Sequence, residues 1–365
     1  MRQGMKIGRV FGIDIFIHPS WWIIFVFLAW VLSTQYFPQV DILPGQTGQI
    51  YWFMGIVSAL LLFISVLLHE LSHSLVARLR KIKVSSITLF FFGGVAGIEQ
   101  EDLKPSSEFL MAIAGPLFSL LLAGIFYLIT LQNGNGIVDA MFFYLAQLNL
   151  ILGIFNLIPG YPLDGGRAFR AVLYAALKDI RKATKIAVIG GKIFAGALIL
   201  LGIITLSQGG WWPLLLGAFL YFIAGNSYQQ VLLKDVLSKI SIKSFILTKY
   251  DKVSPSLPFA AFVKKYADSG RDTFVVGTTA IQGLLDLKKL KVIPRRPIKV
   301  SDVTIPLSAL ASVSSKDSAY TALERCLSQD LDLLPVVDKG RVVGIVKRDR
   351  LLTRFQWELR FGGKK

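Results

Sequence analysis

Six apolar stretches, each near or above the roughly 20 residues a helix needs to cross a hydrocarbon core, occupy residues 19–36, 52–76, 109–131, 140–158, 186–206 and 211–226. Lipid offers the backbone no hydrogen-bond partners, so runs of this kind fold as helices that satisfy their own amides. With 53% of residues hydrophobic and 17% charged, the chain departs in the same direction from soluble proteins, in which about a quarter of residues are charged. After about Leu232 the apolar runs shorten and alternate with Lys, Asp and Ser. This change divides the chain into an α-helical polytopic membrane domain, residues 1–230, and a soluble α/β domain, residues 231–365. The first stretch follows Lys6 and Arg9, carries Trp21, Trp22 and Trp30, and has no small-residue cleavage site after it. It reads as a retained span with interfacial aromatics, not a removed signal peptide.

A net charge of +17 raises nucleic acid as a partner, but that function needs cations gathered on a soluble recognition element, and none is evident. The cations instead flank the apolar runs. The connections 37–51, 132–139 and 207–210 contain no Lys or Arg, whereas the N-terminus, Arg78–Lys104, Arg167–Lys192 and the C-terminal region hold nearly all of them. By the positive-inside rule both termini are then cytoplasmic, and the second span ends inside, near Arg78. Between the second and third spans, Ile87–Ile98 (I-T-L-F-F-F-G-G-V-A-G-I) is too short to cross. Its β-branched and aromatic residues followed by glycines predict a short re-entrant β-hairpin, tolerated at membrane depth only where protein or water covers its backbone.

The strongest chemical signal is His69-Glu70-Leu71-Ser72-His73, near the expected cytoplasmic end of the second span. Residues four apart share a helix face, so both imidazoles can meet one Zn²⁺ while Glu70 addresses its water. Ionisable groups inside a span are expensive and mark function. The single cysteine, Cys326, excludes an internal disulfide and a cysteine-based zinc site, so His, Asp or Glu must hold any metal. A catalytic zinc commonly has three protein ligands and an open position. The candidate third ligand is Asp164, in N-L-I-P-G-Y-P-L-D-G-G-R (Asn156–Arg167); the competing reading is that Asp164 caps the helix that follows. Asn156 lies in the preceding apolar run, either packing against a neighbouring helix or holding the substrate backbone or oxyanion. His18, at the start of the first span, reads as interfacial.

H-E-x-x-H in one span, a later N-x-x-P-x-x-x-x-D-G segment and F-G-G-V-A between them resemble the site-2 protease family of intramembrane zinc metalloproteases. The resemblance spans roughly residues 1–230. It implies one zinc per chain held by His69, His73 and Asp164, Glu70 as the catalytic residue, and Asn156 beside the scissile carbonyl. It also implies that Gly93 and Gly94 belong to a hairpin where an unwound substrate adds as a strand. The substrate would be a membrane-anchored protein cut within or near the bilayer, as in regulated intramembrane proteolysis. The setting would be a prokaryotic plasma membrane or an internal membrane such as the thylakoid.

The tail repeats itself. Asp251–Leu290 runs from a helical stretch through T-F-V-V-G to I-Q-G-L-L-D, and Ser314–Leu352 runs from a helical stretch through D-L-L-P-V-V-D to R-V-V-G-I-V-K-R-D-R-L-L. Two such units imply a pseudo-twofold pair and resemble tandem cystathionine-beta-synthase-type (CBS) domains. Where CBS domains carry Ser or Thr and then Asp to hold a nucleotide, this chain has Asp286 and Lys289, then Lys347 and Arg350. Adenine-nucleotide binding is therefore in doubt, and homodimerisation or docking through the pair stands beside it. The rival function, a transporter or channel gated by the tail, calls for polar sites near mid-membrane in two related halves. The intramembrane polar residues instead gather in two places near one face.

Overall fold

The computed structural model describes residues 4–39, 45–91, 93–98, 103–133, 136–290 and 298–361. The chain divides into two compact units, Met1–Gln229 and Gln230–Lys365. The first begins with strands β1 (Met5–Val10) and β2 (Ile13–Ile17), followed by helix α1 (Ser20–Val31), which widens into a π-helical stretch, Leu32–Tyr36, and ends in a 3-10 turn, Phe37–Gln39, and by α2 (Gly48–Leu79). Strands β3 (Val84–Phe90) and β4 (Gly93–Ile98) come next, then α3 (Pro105–Asn133), α4 (Gly136–Leu157), α5 (Asp164–Leu177), α6 (Ile180–Ile204) and α7 (Trp211–Ser238).

Among the described residues, five helices are long and apolar enough to cross a membrane: Ser20–Gln39, Gly48–Leu79, Pro105–Gln132, Gly136–Leu157 and Ile180–Ile204. The sixth expected span falls in α7, which is continuous but runs from W-W-P-L-L-L into N-S-Y-Q-Q and is too polar to count among the five. The lipid-facing sides are visible on α1, where Trp22, Ile23, Val26 and Phe27 are exposed while Trp21 and Ala29 are buried. Outward apolar side chains of this kind need a hydrocarbon solvent.

The expected hairpin is real and belongs to a larger sheet ordered β1-β2-β3-β4. Strands β1 and β2 are antiparallel, β2 and β3 parallel, and β3 and β4 antiparallel. Ile13 of β2 and Ile87 and Leu89 of β3 pack with Phe63, Leu71 and Ala77 of α2 and with Met111 of α3. The sheet thus lies along the last turns of α2.

Between α4 and α5 the chain folds back on itself, and glycines make this feasible. A methyl group on Gly165 would lie 2.3 Å from the Leu157 carbonyl, and one on Gly166 would lie 2.2 Å from the backbone of Gly160 and Tyr161. On α6, a methyl on Gly191 would lie 2.0 Å from the Tyr161 carbonyl, and the Tyr161 amide donates to Ala187 O at 3.1 Å. The loop 158–163 is therefore clamped between α5 and α6, which fixes where α5 begins.

The second unit adds β5 (Lys252–Val253), α8 (Phe259–Tyr266), β6 (Thr273–Gly277), β7 (Ile281–Asp286) and β8 (Ile305–Pro306), then α9 (Ala319–Ser328), β9 (Leu333–Asp338), β10 (Arg341–Lys347) and α10 (Arg348–Phe361). The repeat is reproduced in detail. Leu284 of β7 pairs with Ile305, from the segment leading into the second copy, and Ile345 of β10 pairs with Leu247, from the segment leading into the first. Each copy thus lends its lead-in segment to the other's sheet. Gly283 and Gly344, at equivalent places, are where these lead-ins cross: a methyl on them would lie 2.2 Å from Ile305 O and 2.7 Å from Leu247 O. One core, including Leu237, Leu284, Leu323, Leu334 and Ile345, spans both copies. The pattern is that of a tandem CBS pair.

The clamped loop gives a test of the fold. Replacing Gly191 with Ala forces the Tyr161 backbone outward, and overpacking of this kind costs about 1–3 kcal/mol. The expected result is a lower thermal midpoint for the detergent-solubilised protein, with Gly196→Ala, where nothing lies within 4 Å of the added methyl, unchanged as the control.

Candidate active site

Helix α2 presents His69 and His73 one turn apart, both buried, with Nε2 atoms 3.2 Å from each other. Asp164, the first residue of α5, brings its Oδ2 to 3.2 Å from His69 Nε2 and 3.1 Å from His73 Nε2. The three residues form the one cluster of metal-ligating side chains found among the described residues. The N-cap position of α5 is Leu163, and no side chain caps it. The competing expectation, that Asp164 serves as a cap, is thus corrected: its carboxylate is turned onto the imidazoles.

The surroundings decide what these atoms can do. His73 Nδ1 donates to the Met111 carbonyl at 2.6 Å, which leaves Nε2 of the neutral ring with a bare lone pair. His69 Nδ1 meets Ser119 Oγ at 2.8 Å. Two imidazole nitrogens and a carboxylate oxygen so directed need a proton or a metal cation among them. Tetrahedral ligands about 2.0 Å from a zinc ion sit about 3.3 Å apart, close to the spacing seen. The donor set and its spacing fit zinc.

Helix α3 carries both orienting groups, Met111 and Ser119, and passes close through Gly115. A methyl there would lie 2.2 Å from His73 Nε2 and 2.6 Å from His69 Nε2. A buried ion pair locks α3 to α5: Arg170 Nε donates to Glu108 Oε1 at 3.0 Å, a second guanidinium nitrogen contacts the same oxygen, and the guanidinium lies over Tyr161, 5.1 Å from the ring centre. Losing one partner of such a pair costs about 3–5 kcal/mol. Arg167 adds a cation 3.9 Å from the other oxygen of Asp164.

A cavity of about 630 Å³ opens beside the cluster, lined by His69, Glu70, Gly93, Gly94, Asn156 and Asp164 and flanked by apolar residues of α1, α2 and α4. Glu70 faces β4, where a methyl on Gly94 would lie 2.4 Å from its Cγ. Asn156 donates one amide hydrogen to Leu152 O at 3.0 Å, which leaves a second donor on the same nitrogen. The structure therefore brings together His69, Glu70, His73, Gly93, Gly94, Asn156 and Asp164. His18 stands apart, its Nδ1 2.8 Å from Ser20 Oγ at the start of α1.

Sequence comparison bears directly on this arrangement. The profile of peptidase family M50 matches residues 57–139 and 131–202. The Synechocystis sp. protein sll0528, named for a zinc metalloprotease, is 30% identical over 98% of this chain and 96% of its own length. The chain belongs to peptidase family M50. It is an integral-membrane zinc metalloprotease of the site-2 protease type. Among solved structures, the site-2 protease from Methanocaldococcus jannaschii is 33% identical, covering 60% of this chain and 93% of that one, with a TM-score of 0.43. The CBS domain NE2398 is 16% identical, covering 31% of this chain and 95% of that one, with a TM-score of 0.28.

Sequence reasoning missed Met111, Gly115, Ser119, Glu108 and Arg170. The signal available was A-G-P inside an apolar span and a lone glutamate at the start of that span; neither identifies its partner without the fold.

A second polar cavity, about 850 Å³, lies in the C-terminal unit, lined among others by Tyr250, Asp251, Thr273, Lys347, Arg348 and Arg350. Its charges are largely paired internally. Lys288 contacts Asp332 at 2.9 Å, Arg348 also contacts Asp332, and Arg271 contacts Asp251 at 3.0 Å. Burial pushes the Cys326 thiol up to about 11, so it stays protonated and inert.

Gly115 tests the metal centre without altering any ligand. The alanine variant places a methyl group among the three donor atoms. Zinc retained after dialysis, measured by atomic absorption, is expected to fall at least tenfold while the helical circular dichroism of the purified protein is kept.

Proposed function

We propose that the M50 peptidase holds one zinc ion per chain through His69, His73 and Asp164, and cuts membrane-anchored proteins where their helices unwind against β4. The convergence of two imidazole nitrogens and a carboxylate oxygen at 3.1–3.2 Å beside a cavity that also contains Glu70 is the observation that carries this reading. When bound, the metal supplies a Lewis acid that makes water nucleophilic near neutral pH.

The chain's own residues do the rest. Glu70 takes a proton from the attacking water and returns it to the departing amine. Asn156 offers its remaining amide hydrogen to the carbonyl oxygen as charge builds there. Gly93 and Gly94 lie on an edge strand, and an extended substrate segment can add to it through backbone hydrogen bonds. Gly94 has no side chain to separate that strand from Glu70. A helical substrate hides its carbonyls, so unwinding onto this edge is what exposes the bond.

In this reading both termini and the CBS pair are cytoplasmic, as the charge of the loops requires, so the zinc lies near the cytoplasmic face. The CBS pair acts through docking or homodimerisation, not adenine-nucleotide sensing. Lys347 and Arg350 stand where ribose and phosphate would be held, and the neighbouring Arg348 is already bound to Asp332.

Two experiments test these assignments. Glu70→Gln should keep one zinc per chain and cleave a single-span substrate about 10²–10⁴-fold more slowly, the usual worth of general acid–base catalysis, whereas Asp164→Ala should lose the zinc. Full zinc occupancy in Asp164→Ala would move the third ligand elsewhere. For topology, cysteines at Gly45 and Gln208 should react with an impermeant maleimide on intact cells, and one at Ser256 only after the membrane is opened; labelling of Ser256 from outside inverts the orientation.

A further inference from the structure

Strands β1 and β2 are joined by two residues, Phe11 and Gly12, with Val10 paired to Ile13. Both loop residues have positive φ, 48° at Phe11 and 75° at Gly12. Two-residue turns of this hand suit the twist of a hairpin, and Asn or Asp is the usual residue at the first position because it tolerates the left-handed region. A bulky side chain there is strained. Strain is kept when something compensates for it, yet the Phe11 ring makes little use of the protein: the residue is 66% exposed. The compensating contact lies outside the chain.

The location identifies that contact. A methyl on Gly12 would lie 3.3 Å from the Arg78 guanidinium, so the hairpin tip stands against the last turn of α2. Helix α2 is long and apolar enough to cross the membrane, which puts its end at the level of the lipid headgroups. Leu79, next to Arg78, is 82% exposed. The two segments that meet there carry Lys6, Arg9, Arg78, Arg80, Lys81 and Lys83. Among the described residues nearby, Asp14 is paired with Lys6 and Arg9. Glu99, Glu101 and Asp102 lie outside the described residues. Counting them, segments 1–18 and 78–104 together carry eight Lys and Arg against four Asp and Glu.

We infer that the β1–β2 tip and the end of α2 form a binding surface for anionic phospholipid. Phe11 and Leu79 enter the interfacial zone, and the surrounding Arg and Lys hold the headgroup phosphates. An apolar tip with Arg78 against it, on segments rich in Lys and Arg, matches a lipid better than a soluble anion, which would leave Phe11 in water. The sheet links this surface to the active site: β1 lies at one edge and β4, with Gly94 against Glu70, at the other. Lipid contact at the tip thus steadies the strand on which the proposed substrate addition depends. The inference rests on the membrane crossing of α2 and holds whichever side of the membrane that end occupies.

The test uses full-length protein in detergent, with phosphatidylglycerol and phosphatidylcholine retention read by native mass spectrometry. The wild type should retain phosphatidylglycerol at least fivefold better. Phe11→Asn places a residue suited to positive φ at the turn, so its thermal midpoint should match or exceed wild type while phosphatidylglycerol retention falls several-fold. The triple variant Arg9→Gln, Arg80→Gln, Lys83→Gln should lose the preference between the two lipids. Equal retention of both lipids by the wild type overturns the inference, as does unchanged retention in either variant. A clear drop in the thermal midpoint of Phe11→Asn also overturns it, because the ring would then be packing within the protein. Loss of self-association in that variant without loss of lipid would assign the surface to a second copy instead.

Discussion

Everything in the membrane unit is arranged around one electrostatic problem: two imidazole nitrogens and a carboxylate oxygen are held 3.1–3.2 Å from one another. The arrangement is unfavourable alone and favourable around a zinc ion. It needs three separate elements brought within van der Waals contact. Helix α2 supplies both imidazoles from one face. Helix α3 approaches closely enough to orient both rings only because Gly115 has no side chain, and α5 reaches them only because Gly165 and Gly166 let the preceding loop fold under its first turn. The Glu108–Arg170 pair then fixes the spacing of α3 and α5, the helices that carry the orienting groups and the carboxylate.

How far this was legible in sequence follows from the range of each interaction. The two histidines and Glu70 were legible because they are local: a spacing of four places both rings on one face. Asp164 lies more than ninety residues from them, and although it was the candidate third ligand, helix capping remained a competing explanation until the fold turned its side chain inward. Ser119 and Met111 were beyond reach for a different reason. A serine in an apolar span usually bonds its own backbone, and a carbonyl has no residue type at all, so neither carries a signature in a single sequence. The sixth expected span is a borderline case in composition. W-W-P-L-L-L reads as a membrane entry, but the helix continues into a polar stretch that the hydrophobic window does not weigh. The sheet was half seen. The hairpin at Ile87–Ile98 stood out between spans, whereas the alternating β1 and β2 sequence sits against the first apolar run and was absorbed into its flank.

The C-terminal unit was legible as a repeat because each copy carries the same strand–glycine–strand pattern, and the structure gives the reason for the glycines. At Gly283 and Gly344 the partner copy's lead-in segment crosses the sheet, and a side chain would block the exchange that joins the copies. The same exchange produces the polar cleft. Among its cations Arg271 is paired with Asp251, and Lys288 and Arg348 with Asp332, so a ligand that used these three would have to break existing ion pairs.

The cavity beside the cluster is asymmetric, and the asymmetry favours hydrolysis over transport. Apolar side chains of α1, α2 and α4 flank it, while Glu70, Asp164 and Asn156 lie together with the edge strand. A transport pathway needs polar groups distributed along its length so that a solute is stabilised at successive depths. Here the ionisable groups are concentrated where a scissile bond would rest, and the apolar flank suits the side chains of a substrate helix still partly in lipid. Unwinding a few residues of that helix exposes amides that hydrocarbon cannot satisfy. Under the proposed mechanism the β4 edge would supply those missing partners beside His69, Glu70 and Asp164, and the backbone pairing that makes the substrate reactive would also keep its exposure tolerable.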